Sequence, residues 1–325
     1  MPKIVFLTPT VPALRAEMLG FLPSGFEIAF AQKNEKSCHR ELLKDADYVF
    51  LGATYLDNDL MESAPQLKMI QKWGIGVDKI DIEAARSRGI PVAITNGANA
   101  VQVAEHAILL MLATLRRLTY AQKSFAAGQW INAELRTTCF QLSEKTVGLF
   151  GFGNIAKQVA KQLSGFHAQV LYYSRQRMTD DEERHYNVQY VDINTLFSQS
   201  DILSLHAPLS AATFEIVNQK TLSLMKPSSI IINTARGELI NEKDLVHAIH
   251  EKHIFGAGLD VFVSEPPDMN NPLFTLDNVV VTPHAAASVK EVVTRVIMHG
   301  LKNIALFEQG FALDEADWVV RPKSY

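Results

Sequence analysis

Three side chains suited to acid–base chemistry occur in the second half of the sequence, each beside a predicted strand or a rigid turn. Arg236 directly follows the apolar strand Ile230–Asn233, and its planar guanidinium suits a carboxylate, a structural ion pair being the alternative. His284 follows the strand Val279–Val281 and can act as an acid or base near neutral pH, or simply make a loop hydrogen bond. Glu265 lies in a Ser-Glu-Pro-Pro turn, where it is either a solvated acid or, beside His284, a stabiliser of an imidazolium. Together the three supply an anion clamp, a proton donor and a support for that donor.

A glycine-rich turn joins a predicted strand to a predicted helix near the middle of the chain. The strand is Thr146–Phe150, the turn reads Gly-Phe-Gly-Asn-Ile-Ala, and apolar residues then recur every four positions. Gly151 permits the tight turn, and Gly153 lets the backbone approach a pyrophosphate. The amides at the helix start, including those of Asn154 and Ile155, face the phosphates with the positive end of the helix dipole. Because strand, turn and helix occur in the required order, dinucleotide binding is favoured over a merely flexible turn.

The elements that position these residues alternate between short apolar strands and helices. This alternation predicts an α/β fold with parallel sheets and right-handed crossovers. In such sheets ligands bind beyond the carboxyl ends of the strands. Arg236, Asp260, His284 and His206 all occur at predicted strand ends, so the sequence places them at one edge of a sheet.

The first hundred residues form a smaller α/β unit without a glycine phosphate loop at its first turn, so we expect no dinucleotide there. Its loop Gly74–Ile75–Gly76 offers backbone amides to an anion, although spacing alone favours an ordinary turn. The stretch Val101–Tyr120 is predicted to be one long helix, followed by an irregular arm over residues 121–145.

Composition limits the classes of partner. The chain has 325 residues, an apolar share of 47% and a net charge of −4 without long like-charge runs, so neither nucleic acid nor a membrane is expected. Cys38 and Cys139 lie far apart and predict neither a metal site nor a disulfide, which fits a reducing cytoplasm. No signal peptide is expected, and the longest apolar run is too short to span a bilayer.

Seven motifs, in their order along the chain, resemble those of the D-isomer-specific 2-hydroxyacid dehydrogenase family. The matching stretches are Trp73–Asp81, Val103–Arg117, Thr146–Ala156, Leu205–Leu209, Ile231–Gly237, Gly256–Pro266 and Thr282–Ala286. The resemblance implies two Rossmann-like, doubly wound parallel-sheet domains, of which the second bears the dinucleotide fingerprint. Residues 1–100 and 288–325 are then the substrate domain, and residues 101–287 are the nicotinamide dinucleotide-binding domain.

The resemblance also implies roles for single residues. Arg236 would hold the substrate's carboxylate and carbonyl, His284 would protonate the carbonyl oxygen, and Glu265 would be its carboxylate partner. The amides of Gly74, Ile75 and Gly76 would grip the substrate carboxylate, and Asp260 would lie near the nicotinamide carboxamide. The expected cofactor contacts are Gly151, Gly153, Asn154, Ile155, Ser174, Arg175, His206, Pro208, Thr234, Ala235 and Asp260.

Two departures from the family pattern concern small residues. Ala156 stands where many relatives have glycine, and this change should be tolerated. Ala285–Ala286–Ala287 stands where relatives often carry a glycine, which leaves the shape of the loop after His284 open.

The implied reaction is reduction of a small 2-oxo acid, glyoxylate or hydroxypyruvate, to the D-2-hydroxy acid by hydride from NAD(P)H. The alternatives are 3-phosphoglycerate oxidation and a non-catalytic regulator that senses NAD(P). The additional regulatory domain of many phosphoglycerate enzymes is not expected in this chain. A homodimer is expected, because the helix Val101–Tyr120 is more apolar than one core-facing stripe requires and relatives dimerise through it.

Cofactor choice depends on the end of the strand after the fingerprint. An acidic residue about 20 positions past the fingerprint selects NAD in this fold. Ser174 stands there instead, and Arg175 could pair with a 2′-phosphate, with Arg177 as a second candidate, unless both arginines are solvated. The sequence therefore predicts NADP(H) as the preferred cofactor and NAD(H) as the alternative.

Overall fold

Strands and helices alternate along the chain in the computed structural model, which describes residues 1–322. The strands are β1 (Lys3–Phe6), β2 (Glu27–Phe30), β3 (Tyr48–Leu51), β4 (Met69–Lys72), β5 (Val92–Ala93), β6 (Thr146–Phe150), β7 (Gln169–Tyr173), β8 (Val188–Tyr190), β9 (Ile202–Leu205), β10 (Ile230–Asn233), β11 (Gly256–Leu259), β12 (Val279–Val281) and β13 (Trp318–Val320). The helices are α1 (Pro12–Gly20), α2 (Lys36–Leu43), α3 (Asn58–Glu62), α4 (Ile82–Arg88), α5 (Ala100–Leu115), α6 (Leu118–Ala126), α7 (Asn132–Thr138), α8 (Asn154–Leu163), α9 (Asp180–Tyr186), α10 (Ile193–Gln199), α11 (Gln219–Leu222), α12 (Glu242–His250) and α13 (Lys290–Glu308).

These elements form two units. Unit 1 comprises Met1–Asn99 together with the chain from Val289 onward, and unit 2 comprises Ala100–Ser288. The last three residues of the expected substrate domain, 323–325, lie outside the described residues.

Unit 1 contains a six-stranded sheet in the order β13-β5-β4-β3-β1-β2. Strands β1 to β5 are parallel, whereas β13 pairs with β5 in the antiparallel direction. The chain after α13 therefore returns to form an edge strand of the sheet. An antiparallel edge strand on a parallel sheet is a common arrangement.

Both faces of the unit 1 sheet are covered. Successive strand residues point to opposite faces, so Val5 and Val49 belong to one apolar cluster and Phe6 and Phe50 to another. Helix α13 covers the second face with its buried apolar residues, among them Ile297. The covered sheet explains why these strands are apolar at nearly every position.

Unit 2 contains a seven-stranded sheet in the order β12-β11-β10-β9-β6-β7-β8. All of its strand pairs are parallel. The chain runs outward from β6 through β7 to β8, then returns to the other side of β6 with β9 and continues to β12. The predicted α/β fold with two doubly wound sheets is therefore confirmed.

The prediction of one helix over Val101–Tyr120 is wrong. Helix α5 ends at Leu115, Arg117 takes a left-handed backbone with φ of 50°, and α6 begins at the next residue. The amide of Phe140 donates to the carbonyl oxygen of Leu115 at 2.9 Å, so the returning chain satisfies the end of α5. The arm over residues 121–145, expected to be irregular, contains the end of α6 and all of α7.

Residues 1–322 contain neither a membrane-spanning helix nor a cluster of side chains suited to a metal ion. None of the helices within residues 1–322 is long and apolar enough to cross a membrane. The same part of the chain holds no group of three or more histidine, cysteine, aspartate or glutamate side chains that could bind a metal ion.

Candidate active site

The predicted site residues of unit 2 follow consecutive strands of one parallel sheet. His284 follows β12, Asp260 follows β11, Arg236 follows β10 and His206 follows β9. Only β11 separates β10 from β12, and neighbouring strands lie about 4.8 Å apart, so the two outer strand ends are roughly 10 Å apart. The carboxyl edge of the sheet thus brings these residues into one row.

The glycine fingerprint begins at the end of β6, next to this row. Gly151 has φ of 93°, and a Cβ atom there would lie 2.6 Å from the backbone nitrogen of Ala207, so only glycine fits. A Cβ atom at Gly153 would meet nothing within 4 Å, so that position is open to a ligand. Helix α8 has no side-chain cap at its N-terminus. An open backbone and an uncapped helix start fit a pyrophosphate.

The fingerprint also stands where the strand order reverses. From β6 the chain continues to β7 on one side and later returns to β9 on the other. In doubly wound sheets a ligand crevice forms at this reversal point. Arg236 and His206 follow strands on the β9 side, whereas Ser174 and Arg175 follow β7.

His284 and Glu265 are in direct contact. The Nδ1 atom of His284 lies 2.8 Å from Oε2 and 3.0 Å from Oε1 of Glu265. Because a carboxylate accepts hydrogen bonds, this contact places a proton on Nδ1. The side chain of His284 is 52% exposed, and its Nε2 atom bonds to no atom of residues 1–322. Nε2 is therefore the ring nitrogen available to a substrate.

The turn that carries His284 is held by Asp260, whose side chain is fully buried. Its Oδ1 accepts the amide of Ala285 at 2.8 Å, its Oδ2 accepts the amide of Ala286 at 2.9 Å, and its carbonyl oxygen accepts the amide of His284 at 2.7 Å. Burial opposes ionisation, but hydrogen bonding from His106, from the hydroxyl of Thr282 and from the amides of Ala285 and Ala286 outweighs it and keeps the pKa of Asp260 below its ordinary value. The carboxylate has no exposed surface and is engaged by this turn, and the expected position of Asp260 near the nicotinamide carboxamide stays a prediction.

Two supporting residues of this turn were not predicted. The hydroxyl of Thr282 donates to Oδ1 of Asp260 at 2.5 Å and accepts from Nε2 of His106 at 2.9 Å. His106 lies on α5, which is apolar apart from a few positions that include Glu105 and His106. A histidine in such a run was the available signal, but nothing local indicated its partner.

Arg236 is presented by a turn that Asn233 shapes. The fully buried Asn233 side chain donates to the carbonyl oxygen of Arg236 at 2.8 Å and accepts the amide of Ala235 at 3.0 Å. The guanidinium donates to the carbonyl oxygen of Ala235 at 2.6 Å and is half-buried. Thr234 lies in the same turn, and its buried hydroxyl has no partner among the described residues. The turn after β10 thus carries Thr234, Ala235 and Arg236.

His206 is held as a neutral imidazole. Its Nε2 atom lies 2.9 Å from the hydroxyl of the buried Ser204. Burial lowers the pKa of His206 to about 4, so the ring carries no charge near neutral pH. Pro208 follows in an exposed loop.

The end of β7 has one uncommitted cation in the described part of the chain. Arg177 forms hydrogen-bonded ion pairs with Glu183, at 2.8 and 3.0 Å, and is therefore engaged. The Ser174 hydroxyl donates to the carbonyl oxygen of Gln176. Arg175 is exposed and makes no ion pair within residues 1–322.

In unit 1 the predicted glycine loop follows β4, and one of its three amides has a partner within the chain. Gly74 has φ of 87°, and its amide donates to the hydroxyl of Thr95 at 2.8 Å. This amide is therefore engaged by Thr95 in the structure. The amides of Ile75 and Gly76 donate to no group within the described chain. Two amides of the loop, rather than three, remain for an anion.

Sequence similarity to known proteins extends over most of this chain. The profile described as D-isomer specific 2-hydroxyacid dehydrogenase, NAD binding domain, matches residues 108–286. A glyoxylate reductase of Thermococcus litoralis is 39% identical over 319 residues, which cover 95% of this chain and 94% of that protein. A hydroxypyruvate reductase of Thermotoga maritima is 40% identical over 265 residues, covering 81% and 85%.

Solved structures share the fold. The NAD-dependent formate dehydrogenase of Staphylococcus aureus, determined in complex with NAD, superposes with a TM-score of 0.88 at 27% identity, covering 98% of this chain and 99% of that one. The profile spans the sheet and the fingerprint of unit 2, and the curated relatives extend over most of both units. The chain therefore belongs to the D-isomer specific 2-hydroxyacid dehydrogenase family and is an oxidoreductase that depends on a nicotinamide dinucleotide.

Proposed function

We propose that this protein reduces a small 2-oxo acid of the glyoxylate or hydroxypyruvate type to the D-2-hydroxy acid. The observation that carries the proposal is the pairing of His284 with Glu265 on the same sheet edge as Arg236 and the glycine fingerprint. The names of the two curated relatives, glyoxylate reductase and hydroxypyruvate reductase, support this substrate class.

The cofactor is assigned to unit 2, and the loop after β4 of unit 1 is assigned to the substrate carboxylate. The uncapped start of α8, with Gly153, Asn154 and Ile155, would hold the pyrophosphate, and the turns that contain His206 and Thr234 would flank it. The bound cofactor supplies the hydride. In unit 1 the open amides of Ile75 and Gly76 are assigned to the substrate carboxylate.

The proton is assigned to His284. Its Nε2 atom donates to the carbonyl oxygen of the 2-oxo acid as that oxygen gains charge. Glu265 bonds Nδ1 on the opposite side of the ring, which fixes the ring orientation and stabilises the imidazolium. Arg236 orients the substrate through its planar guanidinium, which pairs with carboxylate and carbonyl oxygens.

NADPH is the proposed preferred cofactor. Ser174 carries no charge to repel a 2′-phosphate, and the exposed Arg175 is free to pair with one. Arg177 is not assigned to the phosphate, because Glu183 already engages it.

A homodimer is also proposed, formed through α5, α6 and the following arm. Leu109, Leu118, Phe125 and Trp130 are 52%, 53%, 68% and 81% exposed, and the last two rings lie 6.3 Å apart. A second copy would cover this apolar surface. Trp130→Ser should weaken the dimer in sedimentation, whereas Met269→Ser, at an equally exposed site of unit 2, should not. A wild-type protein that sediments as a monomer at micromolar concentration contradicts the dimer.

The function is tested with a substrate panel. Initial rates of NADPH and NADH oxidation are measured with glyoxylate, hydroxypyruvate, pyruvate and 3-phosphohydroxypyruvate. The proposal expects the highest kcat/KM with glyoxylate or hydroxypyruvate. A preference for the phosphorylated acid supports the phosphoglycerate alternative, and cofactor binding without turnover of any acid supports the regulator.

A further inference from the structure

The loop that carries the open amides of Ile75 and Gly76 is anchored on one side by a single buried residue. Thr95 accepts the amide of Gly74 on its hydroxyl at 2.8 Å and donates its own amide to the carbonyl oxygen of Gly74 at 3.1 Å. Thr95 has no exposed surface. Both peptide groups of Gly74 are therefore committed to one partner, which fixes the left-handed turn at φ of 87°.

The peptide groups just before Gly74 are committed as well. The Gln71 side chain donates to the carbonyl oxygen of Lys72 at 3.0 Å, and the Lys72 ammonium donates to the carbonyl oxygen of Trp73 at 2.7 Å. Gln71 and Lys72 are both buried. The chain is thus held up to Gly74, and the open amides begin at the next residue.

Thr95 is in turn held from the far end of the chain. Asp317 is buried and accepts two amides, that of Ile94 on its carbonyl oxygen at 2.8 Å and that of Asn96 on Oδ1 at 3.1 Å. These are the two neighbours of Thr95 in the sequence. Asp317 therefore fixes the backbone on both sides of the residue that anchors Gly74.

The second oxygen of Asp317 is bound by α13. His299 donates from Nε2 to Oδ2 at 2.6 Å, and Asn303 donates from its side chain to the same atom at 3.1 Å. A buried carboxylate needs such donors, because desolvation without them is costly. Hydrogen bonds thus connect helix α13 to Asp317, Asp317 to the two sequence neighbours of Thr95, and Thr95 to Gly74, all inside unit 1.

We propose that Thr95 is a positioning residue for substrate binding and that Asp317 holds it in place. The inference rests on the proposed function, in which the amides of Ile75 and Gly76 bind the carboxylate of a 2-oxo acid. Two amides bind one carboxylate only when they converge, and the anchor at Gly74 sets their direction. The segment from Val289 onward thereby sets the affinity of a loop more than two hundred residues earlier in the chain.

The test compares Thr95→Val, which removes the hydroxyl at nearly constant volume, with Thr95→Ser, which retains it. Thr95→Val should raise KM for the 2-oxo acid, and the inhibition constant of oxamate, by about 10-fold, the effect of one lost hydrogen bond that leaves the half-buried amide of Gly74 unpaired. kcat and the Kd of NADPH should stay unchanged, because carboxylate binding is equal in ground and transition states. Thr95→Ser should restore KM.

Thr114→Val is the matched control. Its hydroxyl is also fully buried but has no partner among the described residues, so its loss changes packing without releasing an anchor. KM should stay at the wild-type value in this variant. A rise in KM equal to that of Thr95→Val would overturn the proposal, because it would show a general effect of losing a buried hydroxyl.

Asp317→Asn tests the second step. It should raise KM in the same direction as Thr95→Val, and the double variant should resemble Thr95→Val alone, since both act through one loop. If the two substitutions raise KM by fully additive amounts, the assignment of Asp317 is overturned. If KM is unchanged in Thr95→Val, the assignment of Thr95 as a positioning residue is overturned.

Hydrogen exchange separates this inference from the proposed function. In the free protein, the peptide that covers residues 73–77 should exchange about 10-fold faster in Thr95→Val than in the wild type. If the wild type reduces no 2-oxo acid, the proposed function fails, and the hydrogen-exchange rate alone then shows whether Thr95 anchors Gly74. If the wild type is active but exchange is unaltered, the anchor is overturned and the function stands.

Discussion

The amide of His284 donates to the carbonyl oxygen of Asp260 at 2.7 Å, and His284 holds a left-handed backbone with φ of 51°. A histidine rarely adopts this conformation without support. Asp260 supplies the support with its carbonyl oxygen and both carboxylate oxygens. The orientation of the candidate acid therefore depends on a residue that is buried beneath it.

The first prediction concerns Thr282. Thr282→Val removes the hydroxyl that bonds the Asp260 carboxylate and should lower kcat by about 10-fold, because hydrogen bonds to charged groups are stronger than neutral ones. Steady-state kinetics provides the measurement, with Thr282→Ser as the control that keeps the hydroxyl. Wild-type kcat in the valine variant contradicts a role in orienting His284.

The second prediction concerns the acid itself. His284→Ala should lower kcat by about 10²- to 10⁴-fold, because general acid catalysis is worth that much. The Kd of NADPH, measured by fluorescence titration, should stay near the wild-type value. Glu265→Gln should also lower kcat, since the neutral amide no longer stabilises the imidazolium of His284. His250→Ala, which removes an exposed histidine of α12, is the control. Normal turnover in the His284 variant would refute its assignment as proton donor.

The third prediction concerns the substrate clamp. Arg236→Lys keeps the positive charge but loses the planar fork, so KM should rise about 10- to 100-fold and kcat should fall with it. Kinetics with glyoxylate gives both constants. An effect on cofactor affinity alone would show that Arg236 contacts the dinucleotide instead of the substrate.

The fourth prediction concerns pH and stability. The pKa of His206 is lowered to about 4 from an ordinary value of 6.5. Between these values the unfolded chain binds a proton at His206 and the folded protein does not, so the free energy of unfolding falls as the pH drops through this range. His206→Asn removes this dependence. Thermal unfolding at several pH values should therefore give a smaller loss of Tm in the variant than in the wild type. Equal losses would contradict a His206 that stays neutral in the folded protein.

The fifth prediction concerns cofactor choice. Ser174→Asp combined with Arg175→Ala adds repulsion against a 2′-phosphate and removes attraction, so the preference should change from NADPH to NADH. The ratio of kcat/KM values for the two cofactors measures the change. Arg184→Ala, which removes a positive charge from an exposed ion pair on α9, should leave the ratio unaltered. A wild-type ratio that favours NADH contradicts the proposed preference.

The sequence alone predicted the residues at the carboxyl ends of the unit 2 strands. Parallel strands bring such residues to one edge, so Arg236, His284 and His206 could be grouped without knowing any contact. The glycine turn was predictable for a similar reason, because a strand, two glycines and a helix form a local unit.

Contacts between distant parts of the chain could not be predicted. His106 and Thr282 are 176 positions apart, and Asn96 and Asp317 are 221 positions apart, so no periodicity joins them. The break after Leu115 was missed because Arg117 has no sequence feature that favours a left-handed backbone. The loop Gly74–Ile75–Gly76 could be selected from its two glycines, but only the structure shows that the hydroxyl of Thr95 accepts the amide of Gly74.

The pairing of β13 with β5 has a consequence for synthesis on the ribosome. Strand β5 ends at Ala93, but its partner lies beyond residues 100–288, which are made in between. At about 5–20 residues per second, the first hundred residues wait roughly 10 s or more for α13 and β13. During that time the edge of β5 and the apolar face that α13 later covers are unprotected. Unit 2 can mature while the nascent chain is still being extended, whereas unit 1 is completed only near the end of translation.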